Sequence, residues 1–281
     1  MGDLPFGLLV QSAVPGLVVA TVRAVRAQPN KGSAIRQLIS EKRKILKFLG
    51  NFGIFSYPVP MASTLSRQRV GTPEIYEDLR QRLTMGGFAP GQKLLPGPLK
   101  DAYGCSANTI REVLLRLSAD GLVQYADQRG FRAQAASAQR KHDLTLFRIL
   151  LEQEGAAGSI RHGGIAWEAQ LTAAHHKLSH IEAEIERNGP EPATVRLWCA
   201  AEWEFHDALS AACGSPFLRR TFRTIFDQFR QQHVTEASNF GYAPGNVDEH
   251  RGIVDAALAR DEAECRARIE AHLSRNLLPG A

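Results

Sequence analysis

The chain has 281 residues, enough for two domains of ordinary size, and a formal net charge of +5 that is unevenly spread. Residues 1–60 carry 8 Lys and Arg against 2 Asp and Glu, residues 61–141 carry 12 against 7, and residues 142–281 carry 14 against 20. A basic module beside an acidic one suggests that the first meets a polyanion and the second does not. The four cysteines, Cys105, Cys199, Cys213 and Cys265, show neither CxxC spacing nor a disulfide pattern. That excludes a stapled secreted scaffold and favours a reduced, cytoplasmic protein.

Pro5 to Val22 is largely apolar but is interrupted by Gln11, Ser12 and Pro15 and preceded by Asp3. A signal peptide wants a positive start, and a membrane span wants a cleaner run of about 20 residues, so no membrane partner is expected. Ile35 to Leu49 reads as a basic helix and Asn51 to Pro60 as a loop. Met61 opens a short arm of the kind that precedes a DNA-binding domain. Residues 1–60 are therefore expected to be a poorly ordered extension, with Met61 as the natural start.

The winged-helix pattern begins at Thr72-Pro73-Glu74. Thr72 is placed to cap, Pro73 to take the first helical position, and Glu74 to favour the positive end of the dipole. Ile75, Leu79 and Leu83 then form an apolar stripe. Gly86 to Gly91 is a turn, Lys93-Leu94-Leu95 a short strand, and Leu99 to Tyr103 a brief second helix preceded by Pro96 and Pro98. Gly104 supplies the break and Ser106 the N-cap of a third helix, whose Ile110, Val113, Leu114 and Leu117 mark its buried face. Its first turn, where Ala107, Asn108 and Thr109 crowd together, is the part of a helix-turn-helix that enters the major groove. Leu122 to Tyr125 and Gly130 to Arg132 read as the two strands of a wing, with Arg129 near its tip.

These residues carry a resemblance. Pro90-Gly91, Leu94, Leu99, Gly104, Ser106, Arg111-Glu112, Leu114, Leu117, Gly121-Leu122-Val123 and Arg129-Gly130-Phe131 resemble the winged helix of GntR-type bacterial transcription regulators. The resemblance implies double-stranded operator DNA as partner, with Ser106, Asn108, Thr109, Arg111, Arg129 and Gly130 at the interface. The family's usual arginine after the serine is Ala107 here, which implies an altered operator sequence or affinity.

The winged helix is thus expected over 61–135, a polar, alanine-rich linker over 136–142, and helices throughout 143–281. The breaks at Asn188 to Pro192 and after Cys213 give an antiparallel all-α bundle. The expected fold class is mainly α: three helices with a small β-wing, then the bundle. Glu202 and His206, four apart, share one helix face, and His250 and His272 lie on later helices. Three imidazoles and a carboxylate suit Zn, Ni, Fe, Mn or Co, although such spacing equally describes unrelated surface or hydrogen-bonding side chains.

The bundle in turn resembles the FCD ligand-binding domain of the FadR subfamily. The matching pieces are Arg148-x-x-x-Glu152, Glu202-x-x-Phe205-His206 with Ala212 to Leu218 after it, Glu249-His250-x-x-Ile253, and His272. The resemblance implies a divalent transition metal, zinc first, held by Glu202, His206, His250 and His272, with Glu202 where metal-binding members carry aspartate. It also implies a homodimer and a small organic acid or sugar acid as effector, gripped by Arg148, unless Arg148 simply pairs with Glu152. His142, His162, His175, His176, His180 and His233 have no matching place and are expected at the surface or in local hydrogen bonds. Two other readings are a constitutive DNA-binding protein with a purely dimerising bundle and a metal-dependent enzyme activating water. Against the enzyme, no second general acid or base stands at a persuasive spacing.

Overall fold

The computed structural model describes residues 71–236, 243 and 245–279. The expectations placed on residues 1–70, including Met61 as the start, lie outside the described residues. Helix α1 spans Thr72–Thr84, strand β1 Lys93–Leu94, helix α2 Pro96–Tyr103 and helix α3 Ala107–Ala119. Strands β2 (Val123–Ala126) and β3 (Gly130–Ala133) complete the winged helix. The sheet order is β1-β3-β2, antiparallel throughout, with Leu94 opposite Phe131 and Val123 opposite Ala133.

Local chemistry explains these elements, with three corrections. Gly71, not Thr72, is the N-cap of α1; Thr72 is already helical and no side chain caps the end. Pro96 and Pro98 lie inside the first turn of α2 rather than before it, where a missing N–H forfeits no helical bond. Leu95 is outside β1 and 47% exposed. As expected, Gly104 ends α2 in the left-handed region (φ 63°), and the Ser106 hydroxyl caps α3 by accepting from the Thr109 N–H at 3.0 Å. Ile75, Leu79, Ile110, Leu114, Leu117 and Leu122 are buried in one core, each removing about 1.5–3 kcal/mol worth of side chain from water.

The bundle consists of α4 (Ala138–His162), α5 (Ile165–Asn188), α6 (Pro192–Leu209), α7 (Pro216–Glu236), α8 (Asn246–Leu258) and α9 (Glu262–Ser274). The expected linker is mostly helix. Ser137 caps α4 by accepting from the Arg140 N–H, and His142 is already buried, so the helix starts as soon as its side chains can be covered. His142 is no surface residue: its Nδ1 accepts from the Leu278 N–H and ties down the segment that follows α9. Helix α6 ends at Leu209, four residues before Cys213. Helices α5 and α6 pack together, α4 packs on α7 and α9, and α8 on α5 and α9. Trp198, Phe205, Leu171, Leu178, Ile253 and Ile269 fill the centre. Helix α7 also packs on α1 of the winged helix. Among the described residues no helix is long and apolar enough to cross a membrane.

Candidate metal centre and nucleic-acid interface

Helices α6, α8 and α9 bring His206, His250 and His272 together, with one ligating atom of each within 4.8 Å of the others. His206 and His250 are fully buried and His272 nearly so. Each imidazole has a carboxylate behind its Nδ1. Glu152 Oε2 of α4 lies 2.7 Å from His206, Glu182 Oε1 of α5 lies 3.1 Å from His250, and Glu249 Oε2 of α8 lies 2.7 Å from His272. A carboxylate hydrogen-bonded there favours the tautomer with the proton on Nδ1 and Nε2 as the lone-pair nitrogen, as Glu182 does for His250. His272 Nδ1 is shared between Glu249 and the Arg275 guanidinium, and the His206 Nδ1–Glu152 contact lacks hydrogen-bond geometry. The Nε2 atoms of His206 and His250 are buried without a hydrogen-bond partner. An orphaned buried acceptor costs about 1–3 kcal/mol unless something occupies it. A divalent ion would occupy these nitrogens, and the donor set fits one.

Electrostatics keep the His206 and His272 rings neutral. Burial lowers His206 to about 4, against the opposing pull of Glu152. Burial, then the neighbouring His250, His206 and Arg275, holds His272 well below the usual range. Burial pushes the Glu152 carboxyl up, but Arg148 and His206 outweigh it and hold the group at about 2. The result is neutral imidazoles at His206 and His272, the first backed by an ionised Glu152, so binding a cation at neutral pH requires no proton to be displaced from these two.

Glu202, one turn before His206, does not join the three. One methylene longer than aspartate, its carboxylate reaches Arg230 of α7 and pairs with it. Arg148 is buried in the same region, bonds Glu152 through Nε at 2.5 Å, and is sandwiched between the rings of Phe226 and Phe229 at 4.7 and 4.6 Å. Arg148, Glu202, Arg230, His233 and His272 border a cleft with about 20 Å³ of open space, roughly room for one water. Burial beside Arg230 and other cations lowers the half-buried His233 to about 3.

In the winged helix, Asn108 and Arg111 are exposed on α3 and Arg129 is exposed in the hairpin turn. Thr109 is half-buried; its N–H and hydroxyl both engage Ser106, so the cap also holds the first turn's side chains in place. Gly130 adopts φ 72°, and a Cβ there would meet nothing within 4 Å, so the conformation rather than crowding calls for glycine. Arg116 stacks over Tyr76 of α1 at 4.0 Å.

Residues 72–132 match the family described as bacterial regulatory proteins, gntR family, and residues 143–275 match the FCD domain. The HTH-type transcriptional regulator BphR of Paraburkholderia xenovorans is 32% identical over 221 residues, covering 78% of this chain and 87% of that one. The chain is a GntR-family transcriptional regulator. The HTH-type transcriptional repressor GlaR of Escherichia coli is 28% identical, over 70% of this chain and 90% of its own. In fold, this regulator superposes on E. coli McbR/YncC with a TM-score of 0.62 at 19% identity, covering 74% of this chain and 95% of that one. The family consists of DNA-binding regulators, which settles the enzyme reading against it.

Sequence reasoning named the three gathered histidines of this GntR-family regulator but missed the carboxylates behind them. Glu182 left one signal: a charged residue interrupting the apolar stripe Leu178, Ile181, Ile185. Glu249 left another, adjacent to His250. Arg230 left none, because nothing local marks which arginine of α7 is buried.

Proposed function

We propose that this GntR-family regulator holds a divalent transition metal on His206, His250 and His272 and that a small carboxylate-type metabolite, binding beside it, controls operator affinity. What carries the reading is the pairing of each imidazole with its own buried or half-buried carboxylate, an arrangement that prepares three nitrogens for one cation. Zinc suits three imidazole ligands best, with nickel, iron, manganese or cobalt as alternatives. A bound ion would act as a Lewis acid toward a carboxylate. Arg148, with part of its guanidinium committed to Glu152, would supply the second grip on that anion. Glu202 becomes a fourth ligand only if it exchanges Arg230 for the ion.

The operator is double-stranded DNA read by Ser106, Asn108, Thr109 and Arg111 at the start of α3, with Arg129 and Gly130 of the wing on the backbone. Two copies bind it, as paired half-sites require, and the exposed stripe Leu146, Phe147 and Leu150 on α4 suits their contact. The protein acts in the cytoplasm.

Elemental analysis of protein purified without chelator or metal-affinity resin tests the metal, alongside a His206→Ala, His250→Ala variant. About one first-row metal per chain, lost in the variant, is expected. A panel of small carboxylates is then screened for release of the protein from operator DNA. No metal in wild-type protein refilled with zinc refutes the site.

A further inference from the structure

Helix α7 presents two faces with different partners. Toward the bundle interior, the Phe226 ring lies 6.1 Å from that of His206, Phe226 and Phe229 sandwich the Arg148 guanidinium, and Arg230 pairs with Glu202. Interleaved with these, Asp227, Gln228 and Gln231 face the winged helix. Asp227 accepts two 2.8 Å bonds from Nη1 of Arg80 on α1. Gln228 Nε2 donates to the Asp120 carbonyl at 3.0 Å, and Gln231 Nε2 donates to the Leu122 carbonyl at 3.1 Å.

The Gly121 carbonyl between them accepts from Arg140 of α4, whose guanidinium also bonds Gln228 Oε1 at 2.6 Å. Three successive carbonyls at the end of the recognition helix are thus satisfied by bundle side chains, two of them from α7. Gly121 has φ 75°, and a Cβ there would sit 2.6 Å from the Gln228 side chain, so the approach is as close as the backbone permits.

The cleft beside His272 holds about 20 Å³, and Phe229, Arg230 and His233 form its α7 wall. An organic anion is far larger than the roughly single water that fits. Whatever enters must displace part of the lining, of which α7 supplies Phe229, Arg230 and His233, and packed helices shift as units rather than deforming locally. Moving Phe229 and Arg230 carries Asp227, Gln228 and Gln231 with them.

We infer that α7 transmits the state of the bundle cavity to the DNA-reading helix, through the Arg80–Asp227 ion pair and the two glutamine bonds to Asp120 and Leu122. The inference rests on the proposed function for what occupies the cavity, but the lever itself is metal-independent. Helix α4, which carries Arg148 and Glu152 and whose Arg140 bonds the Gly121 carbonyl, is the competing route that the test must separate from α7. Binding and head orientation are then linked reciprocally.

Hydrogen exchange on full-length protein tests this. It is read at the amides of Gly121 and Leu122, which bond the Ser118 and Leu117 carbonyls, and at 226–233. Two perturbations of the cavity side are compared: zinc loading against chelator-stripped protein, and Phe229→Leu in stripped protein. Each is expected to change exchange at 226–233 and, by at least about threefold, at Gly121 and Leu122. In an Asp227→Ala, Gln228→Leu, Gln231→Leu background, which cuts all three links, the change at 226–233 persists and the change at Gly121 and Leu122 disappears. If zinc does not bind but Phe229→Leu still reaches Gly121 and Leu122, the lever stands and the metal reading falls. Changes confined to 226–233 in the otherwise wild-type chain overturn the inference, as does a signal at Gly121 that survives the Asp227→Ala, Gln228→Leu, Gln231→Leu background.

Discussion

Replacing Glu182 tests the idea that the buried carboxylates prepare the histidines. Its Oε1 accepts from Trp198 Nε1 at 3.1 Å and faces His250 Nδ1 at the same distance, while Oε2 lies 3.4 Å from that nitrogen. In Glu182→Gln the amide oxygen at the Oε1 position keeps the Trp198 bond and the 3.1 Å approach to His250 Nδ1, while the amide NH2 replaces Oε2. The approach survives, and the negative charge and the second acceptor are lost. The cost therefore falls at the low end of the 10- to 100-fold range for such partners, about tenfold in metal affinity or about 1.4 kcal/mol. In Glu182→Leu both donors lose their acceptor. Each of two buried N–H groups then costs about 1–3 kcal/mol, and the imidazole is free to choose the tautomer that cannot ligate through Nε2. Zinc competition against a chromophoric chelator, on variants whose helicity matches wild type, should give the order wild type, Gln, Leu. Equal affinity in all three, with His250→Ala still abolishing binding, would show that Glu182 does not prepare the ligand.

Three more predictions follow from the same contacts. Metal-free protein should lose stability as pH falls from about 6.5 toward 4, because the unfolded chain takes up protons that folded His206 and His272 refuse; Glu152, held at about 2, extends the loss below about 4.5. Urea midpoints measured across this range check it, and a flat profile between pH 6.5 and 4 contradicts it. Ser106→Ala removes the α3 cap and should cost about 1 kcal/mol in thermal stability, whereas Arg111→Ala should leave stability unchanged, weaken operator binding and, if Arg111 meets a phosphate, reduce the salt slope by about one. Phe205→Ala should cost about 3–5 kcal/mol and weaken zinc binding too, since the ring lies 5.0 Å from both His206 and His250; retained zinc affinity in a folded variant would show that the ring only fills space.

Much of this protein is written locally in its sequence. Ser106 and Gly104 stop and start helices through hydrogen bonds and dihedrals that involve only near neighbours, and the stripe Ile110, Val113, Leu114, Leu117 states which face is buried. Those signals reach no further than a few turns, so they set the element order, the winged helix and the helical second half. Even there, boundaries moved where tertiary cover decided: α4 begins at Ala138 because His142 has something to pack against. The histidines were nameable one by one, but their meeting point was not a property of any segment. It depends on where α6, α8 and α9 cross, and on Glu152 and Glu182 arriving from α4 and α5. Likewise nothing in the local spacing of Glu202 says that it will pair with Arg230, or that Asp227 will reach Arg80 across 147 positions of sequence. Burial and charge pairing between distant segments are energies of the folded chain, and only the tertiary structure sets them.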